Sequence, residues 1–290
     1  VAYLFASDEG GFGDDGEDSI IKCGSFNGTV STLASVNLGF EPQFIIIKAT
    51  NASGGDADNW RMHDDMRGWN VVSRQLLNPN TNAAESALSN TSGYDLIPTA
   101  TGFDHKGHDY TNPDTTYIYI AIRRPMKTPE SGTEVFDASA IYGTSSYTVP
   151  FANDMFIDRR RDSGNDTHLS QRLTGYPKAL QTGGSGYYLT TNTTNAETET
   201  VDFAFSGNNT QTFTAQGSKF NGSYDHIRYF FKRATGFFDV VAYTGNGTTE
   251  HQITHNLGVT PEMIIVKRRS AVDDWLVCHK DQPDLGDGTQ

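Results

Sequence analysis

One segment of the chain occurs twice, and that repeat constrains the fold more than any other feature. Asn37-Leu38-Gly39-Phe40-Glu41-Pro42-Gln43-Phe44-Ile45-Ile46-Ile47-Lys48 returns as Asn256-Leu257-Gly258-Val259-Thr260-Pro261-Glu262-Met263-Ile264-Ile265-Val266-Lys267. Ahead of it, Ser25-Phe26-Asn27-Gly28-Thr29 matches Thr244-Gly245-Asn246-Gly247-Thr248, and behind it Asn59-Trp60 matches Asp274-Trp275. A more worn copy lies between them. Ile118 to Arg124 aligns with Ile227 to Arg233, and Thr133, Phe136-Asp137 and Gly143 align with Thr235, Phe238-Asp239 and Gly245. Leu77, Asn80-Thr81 and Ala84-Glu85 align with Leu189, Asn192-Thr193 and Ala196-Glu197. The period is about 110 residues, the size of a domain and not of a solenoid repeat.

The repeat divides the chain. Residues 1–7, carrying Val1-Ala2-Tyr3-Leu4-Phe5-Ala6, read as the last strand of a preceding module, and 8–19 as an acidic, Gly-rich loop. Residues 20–124 read as a first β module, 133–233 as a second and 237–290 as an incomplete third. The expectation is a fragment of a longer repetitive protein.

Local signals within a copy are β. Phe44-Ile45-Ile46-Ile47 is a short β-branched and aromatic run, the mark of a strand buried on both faces, and 117–122 and 227–231 are similar. Asn27-Gly28 and Asn246-Gly247 predict tight turns, because Asn and Gly tolerate positive φ. Pro42 and Pro261 sit where a strand starts and a missing amide does no harm. A short helix over 81–88 is the one helical alternative. Many short strands separated by turn residues predict an all-β class of tandem β-sandwich-like domains.

Composition narrows the function classes. The formal net charge is −13, so the surface repels phosphate backbones, and nucleic-acid binding is not expected. The basic clusters Arg159-Arg160-Arg161 and Arg123-Arg124 read as solvated strand ends. The two cysteines, Cys23 and Cys278, fall at non-equivalent places in the repeat and suggest no disulfide framework. No apolar run is long enough to span a bilayer, so membrane insertion is not expected.

Gly24-Ser25-Phe26 with Gly28, the Asn37–Lys48 segment, Asn59-Trp60, Leu77 with Asn80-Thr81 and Ala84-Glu85, and Tyr117-Ile118-Tyr119-Ile120-Ala121 follow one another in fixed order. This series resembles a repeated domain of tail-fibre-like virion proteins from phages of marine bacteria, a domain that often accompanies concanavalin-like lectin domains. The resemblance implies a structural or adhesive virion role in a tail or appendage. It carries no catalytic residues.

Several constellations could carry chemistry. Gly10-Gly11-Phe12-Gly13-Asp14-Asp15 fits the pattern of calcium-binding β-rolls, with Asp8, Asp14, Asp15 and Asp18 as candidate calcium ligands. That motif works by stacking copies, and the chain holds one, so an acidic loop between modules is the plainer reading. His105-Lys106-Gly107-His108-Asp109 could offer two imidazoles and a carboxylate to a metal, though not at a structural zinc spacing. Asp64-Asp65 with Glu85 could be imagined as the carboxylates of a polysaccharide depolymerase, but neighbouring residues of a strand point to opposite faces. Trp60 and Trp275 hold equivalent repeat positions, which predicts core packing against the long strand of their own copy. Trp69 has no such counterpart and is the candidate ligand-binding aromatic.

The sequence therefore predicts a non-enzymatic structural or adhesive component of a phage tail fibre or similar virion appendage. It would require no cofactor, calcium aside. Its partners would be other appendage chains in a homo-oligomer, a trimer among the options, and a host cell-surface glycan. The alternative is a carbohydrate-binding module array of a bacterial surface or extracellular filament.

Overall fold

The computed structural model describes the chain except residues 1, 3, 9, 13–15, 30–31, 52–58, 66–72, 85, 90–95, 106–114, 125, 142–145, 175–185, 201, 207–210, 216–218, 221–222, 249–250 and 283–290. The described residues are all-β: strands joined by turns and two short 3-10 segments, with no α-helix among them. The fold is sandwich-like, and it divides into two compact units. One holds residues 1–127 and 241–256, the other 128–240 and 257–290. Residues of the anticipated third module, 237–290, are thus shared between them.

Among the described residues the first unit contains nine strands: β1 (Ile21–Gly28), β2 (Ala34–Asn37), β3 (Pro42–Ala49), β4 (Arg61–Asp64), β5 (Ser73–Leu76), β6 (Ser86–Ser89), β7 (Leu96–Thr99), β8 (Gly102–His105) and β9 (Thr115–Arg123). They form an antiparallel sheet in the order β1-β9-β3-β4 and a smaller one in the order β2-β8-β7. A β5–β6 hairpin touches β4 through a Met62–Leu77 bridge. Period-2 alternation sends Ile45, Ile47 and Ala49 of β3, and Tyr117, Tyr119 and Ala121 of β9, to the buried face. Phe103 of β8 meets Phe26 and Tyr119 edge-on, both at 5.5 Å, so the two sheets face each other across an aromatic core.

Two local features follow from residue chemistry. The Asn37-Leu38-Gly39-Phe40 turn closes because Asn37 Oδ1 accepts the Gly39 N–H at 2.9 Å while Gly39 takes φ +79°. The turn drops Leu38 and Phe40 into the core. Asn27-Gly28, anticipated as a turn, is instead the end of β1. The glycine is needed for close approach: a Cβ there would run into the Tyr117 ring. Residues 86–88 of the anticipated helix lie in strand β6, where pairing with β5 overrides a weak helical preference.

The second unit repeats the first strand for strand. Its strands are β10 (Phe136–Ile141), β11 (Ser146–Val149), β12 (Met155–Arg160), β13 (Thr167–Gln171), β14 (Gly186–Thr190), β15 (Thr198–Thr200), β16 (Phe203–Ser206), β17 (Gln211–Ala215) and β18 (His226–Phe231). The large sheet runs β10-β18-β12-β13-β14-β15 and the small one β11-β17-β16, the order of the first unit with β14 and β15 in the places of β5 and β6. The register is the same. Ile46 lies opposite Ile120 and Met62 in the first unit, and Ile157 lies opposite Tyr229 and Leu169 in the second. The core between the sheets is built of Phe156 and Phe230 from the large sheet and Phe203, Phe205 and Phe213 from the small one.

An asparagine holds the same turn in both copies. Asn80 Oδ1 accepts the Trp60 N–H at 2.9 Å, and its Nδ2 donates to Asn59 Oδ1 at 2.9 Å. In the second unit Asn192 Oδ1 accepts the Thr167 N–H at 3.2 Å and its Nδ2 donates to Asp166 Oδ1 at 2.9 Å.

The third copy contributes a hairpin, β19 (Met263–Lys267) with β20 (Trp275–His279). Ile264 faces Cys278 and Val266 faces Leu276, which places β19 and β20 in the roles of β3 and β4. The hairpin belongs to the second unit. Trp275 Nε1 donates to the Thr190 and Thr193 carbonyls at 3.2 and 3.1 Å, Lys267 Nζ donates to Thr194 O at 3.1 Å, and Arg269 pairs with Glu197. Trp60 and Trp275 are therefore half-buried rather than sealed against their own long strand. Trp275 is anchored by its indole N–H to the turn that follows β14.

Candidate functional site

Those residues anticipated to carry chemistry that the structure describes are mostly employed in holding the fold. Asp8 accepts the Ile20 N–H on both carboxylate oxygens, at 3.0 and 2.9 Å, and the Ile21 N–H at 3.3 Å. Asp18 pairs with Arg123. Asp14, Asp15 and Trp69 lie outside the described residues, as do Glu85, His108 and Asp109. Among the described residues no group of three His, Cys, Asp or Glu side chains is arranged to hold a metal. His105 ends β8 inside the core, 4.7 Å from the Tyr117 ring centroid. Asp65 is buried and paired with Arg124, while Asp64 is half-buried on β4, so the two do not share a site. The basic clusters are engaged as well. Arg160 pairs with Asp162 and lies 3.4 Å over the Tyr224 ring, and Arg161 pairs with Asp225 at 3.3 Å. The Arg160 partner holds the Asp162 carboxyl below its ordinary range.

Where the first unit places Ile47, Tyr117 and Tyr119, the second unit places a buried charged row. Asp158 Oδ2 accepts from Arg228 Nε at 2.6 Å, and Asp158 Oδ1 lies 2.9 Å from His226 Nδ1. Arg228 also donates to the Phe220 carbonyl at 2.8 Å and lies 4.6 Å over the Phe213 ring. Burial pulls the guanidinium below its usual range, and Asp158 opposes that shift. His168, across from Asp158 on β13, packs against Tyr188 and Phe220 and is pushed down by burial. All three members of the Asp158 cluster are sealed from solvent. An imidazole paired with a carboxylate resembles part of a catalytic triad, but catalysis needs an accessible reacting atom. Here the carboxylate, the imidazole and the guanidinium are all buried inside the sheet, and the cluster serves the core.

A ladder of aromatic side chains lies on the outer face of the same sheet. Strand alternation turns Ile227, Tyr229 and Phe231 of β18 outward, and β10 sets Phe136 beside them. Phe136 stacks on Tyr229 at 6.4 Å and meets Phe231 edge-on at 5.1 Å, while Phe231 reaches Phe238 at 5.6 Å and Phe238 reaches Phe237 at 6.3 Å. Phe136, Tyr229 and Phe237 are exposed. Such a ladder offers flat apolar rings with one phenolic hydroxyl, a surface that can stack against a sugar ring or another protein. A search for isolated tryptophans misses it. Its signal is the outward alternation Ile227, Tyr229, Phe231 in the last strand of a module.

Comparison with curated proteins and with solved structures finds no match to this chain. The profile of one family, described as Domain of unknown function (DUF7483), matches residues 1–125 and 235–287. The matched residues cover the first module and the third-copy hairpin, and the segment between them keeps the same strand order with a diverged sequence. Since the match spans more than half of its length, the chain belongs to the family of the Domain of unknown function (DUF7483).

Proposed function

We propose that this chain is a non-enzymatic, structural and adhesive component of a bacteriophage tail fibre or similar virion appendage. The observation that carries the reading is the tandem repetition of one sandwich-like module in a single register. Repetition of a self-contained module lengthens a chain without new chemistry, as a spacer requires. The acidic surface supports the same reading, because like charge keeps particles apart while apolar and aromatic patches stay free for specific contacts. Several chains in one appendage would multiply weak contacts through avidity. Immunogold labelling of purified particles tests the proposal: label on a tail appendage supports it, and label confined to a bacterial surface filament contradicts it.

A second reading is a carbohydrate-binding array, and the Phe136–Tyr229–Phe231 ladder favours it. In this reading host glycans stack on the outer face of the second unit. A glycan array with wild type and Tyr229→Ala separates recognition from spacing: sugar binding that the substitution abolishes favours this reading, and no bound glycan favours a spacer.

A further inference from the structure

The large sheet of each module is apolar on both faces. In the first unit Ile120, Ile46 and Met62 form one row across the outer face, and Tyr229, Ile157 and Leu169 form the same row in the second. The next row is Ile122 with Phe44 in the first unit and Phe231 with Met155 in the second. The two copies have diverged even in their cores, where Ile47 and Tyr119 give way to Asp158 and Arg228. These outer rows nevertheless carry no charge in either copy.

An antiparallel sheet with one solvated face alternates apolar with polar residues. Phe44-Ile45-Ile46-Ile47 and Met155-Phe156-Ile157 do not alternate. The inward half of each run is sealed in its own sandwich: Ile45, Ile47 and Phe156 are buried. Phe44, Ile46, Met155 and Ile157 are only half-buried. On the same outer faces Ile118, Phe136 and Tyr229 are 40, 38 and 36% exposed. Aromatic and aliphatic side chains with Met and without charge are the composition of an interface core.

We propose that a second copy of this chain covers these faces, the large sheet of each module packing face to face against the large sheet of the same module in the other copy. A cover that serves both modules has to present the same kind of surface twice, and a second copy does. The size of the faces agrees. Four strands about 4.8 Å apart, with five residues rising about 3.3 Å each, span about 300 Å² per module. One pair of such faces buries about 600 Å² in total, short of the roughly 1,000 Å² that a specific association needs, and two pairs bury about 1,200 Å². The contact is isologous, each chain offering the surface that it receives, so it closes at two copies. The inference rests on the appendage reading for its purpose, naming how copies meet, and on the sheet faces for its physical basis.

Sedimentation velocity of the full chain, with Ile118→Lys, Tyr229→Lys and Val272→Lys variants, tests it. All three positions are exposed, so the substitutions should leave the fold intact, which circular dichroism checks. Wild type is expected at twice the 31.8 kDa chain mass. Ile118→Lys and Tyr229→Lys should each sediment as a monomer at the same concentration, because a lysine in one face leaves only the other pair. Val272→Lys adds the same charge in the turn between β19 and β20 and should stay dimeric. A native thiol supplies a second reading without substitution. Cys23 lies opposite Ile120 on the outer face, so it should react with N-ethylmaleimide several-fold more slowly at dimeric than at monomeric dilution. A monomeric wild type, a dimer that withstands Ile118→Lys or Tyr229→Lys, loss of the dimer in all three variants alike, growth beyond two chains, or a Cys23 rate indifferent to dilution each overturns the proposal. A monomer that binds a glycan through Tyr229 gives the face to the sugar instead. A monomer that labels a virion appendage overturns this inference and leaves the appendage reading standing, and a dimer confined to a bacterial surface filament does the reverse.

Discussion

Asp158 of β12 and Ile47 of β3 hold one position in two copies of the same sheet. Each points into its core, and each lies opposite the equivalent residue of the neighbouring strand, Arg228 for Asp158 and Tyr119 for Ile47. The same backbone thus accommodates a buried ionic cluster in one copy and an aliphatic–aromatic pair in the other.

That equivalence predicts opposite outcomes for partial and complete replacement. Asp158→Ala leaves the buried Arg228 without its carboxylate, and removing one partner of a buried ion pair costs about 3–5 kcal/mol. The triple change Asp158→Ile, His226→Tyr and Arg228→Tyr installs the first unit's residues at all three positions. Replacing a buried ionic group by well-packed apolar side chains is often neutral or stabilising by about 1–4 kcal/mol. Urea denaturation should therefore show the triple variant near or above wild type, with the single variant well below both. A triple variant as unstable as the single one would contradict the shared register.

Stability should fall as the solution is acidified from neutral pH. Burial holds His168 below the ordinary imidazole value of 6.5, so the folded state stays deprotonated at pH values where the unfolded chain takes up a proton. The unfolded state is then favoured as pH drops through 6.5 toward the depressed folded value, by at most about 1.4 kcal/mol per pH unit from one site. His168→Phe, which keeps a ring against Tyr188 and Phe220, should flatten this part of the profile. Chemical denaturation at a series of pH values checks both the slope and its loss.

The asparagine turns offer a matched pair of tests. Asn80→Ala and Asn192→Ala each remove an acceptor from a backbone N–H and a donor to a neighbouring side chain. Each should cost about 1–2 kcal/mol, the scale of one or two net hydrogen bonds at an exposed site. Equal losses in thermal or urea unfolding support equivalent roles, and a loss in one copy alone argues against them.

The aromatic ladder should separate binding from folding. Tyr229 is exposed, so Tyr229→Ala should change stability by less than about 1 kcal/mol, the range of surface substitutions. Any glycan or protein contact made by the outer face should weaken several-fold. A large loss of stability without loss of binding would reassign the ladder to packing.

The repeat and the β class could be read from the sequence because their signals are local. Asn-Leu-Gly closes a turn through its own side chain, and β-branched runs mark central strands. The second module's charged row could not be read in the same way. Asp158 is far from His226 and Arg228 in the sequence, and only cross-strand pairing brings them together inside. Asn27-Gly28 misled for a related reason: the dipeptide suits a turn, but the Tyr117 ring across the sheet is what requires the glycine. Trp275 looked like a core residue of its own copy, and the turn that anchors it lies in another.

The central claim, one strand register in both modules, is tested most directly by nuclear Overhauser contacts across the central strands in the isotopically labelled full chain. The account predicts cross-strand contacts of Ile46 with Ile120 and Met62, and of Ile157 with Tyr229 and Leu169, at equivalent places in the two sheets. Contacts that place Ile157 opposite any other residue of β18, or leave β12 at a sheet edge, would contradict it.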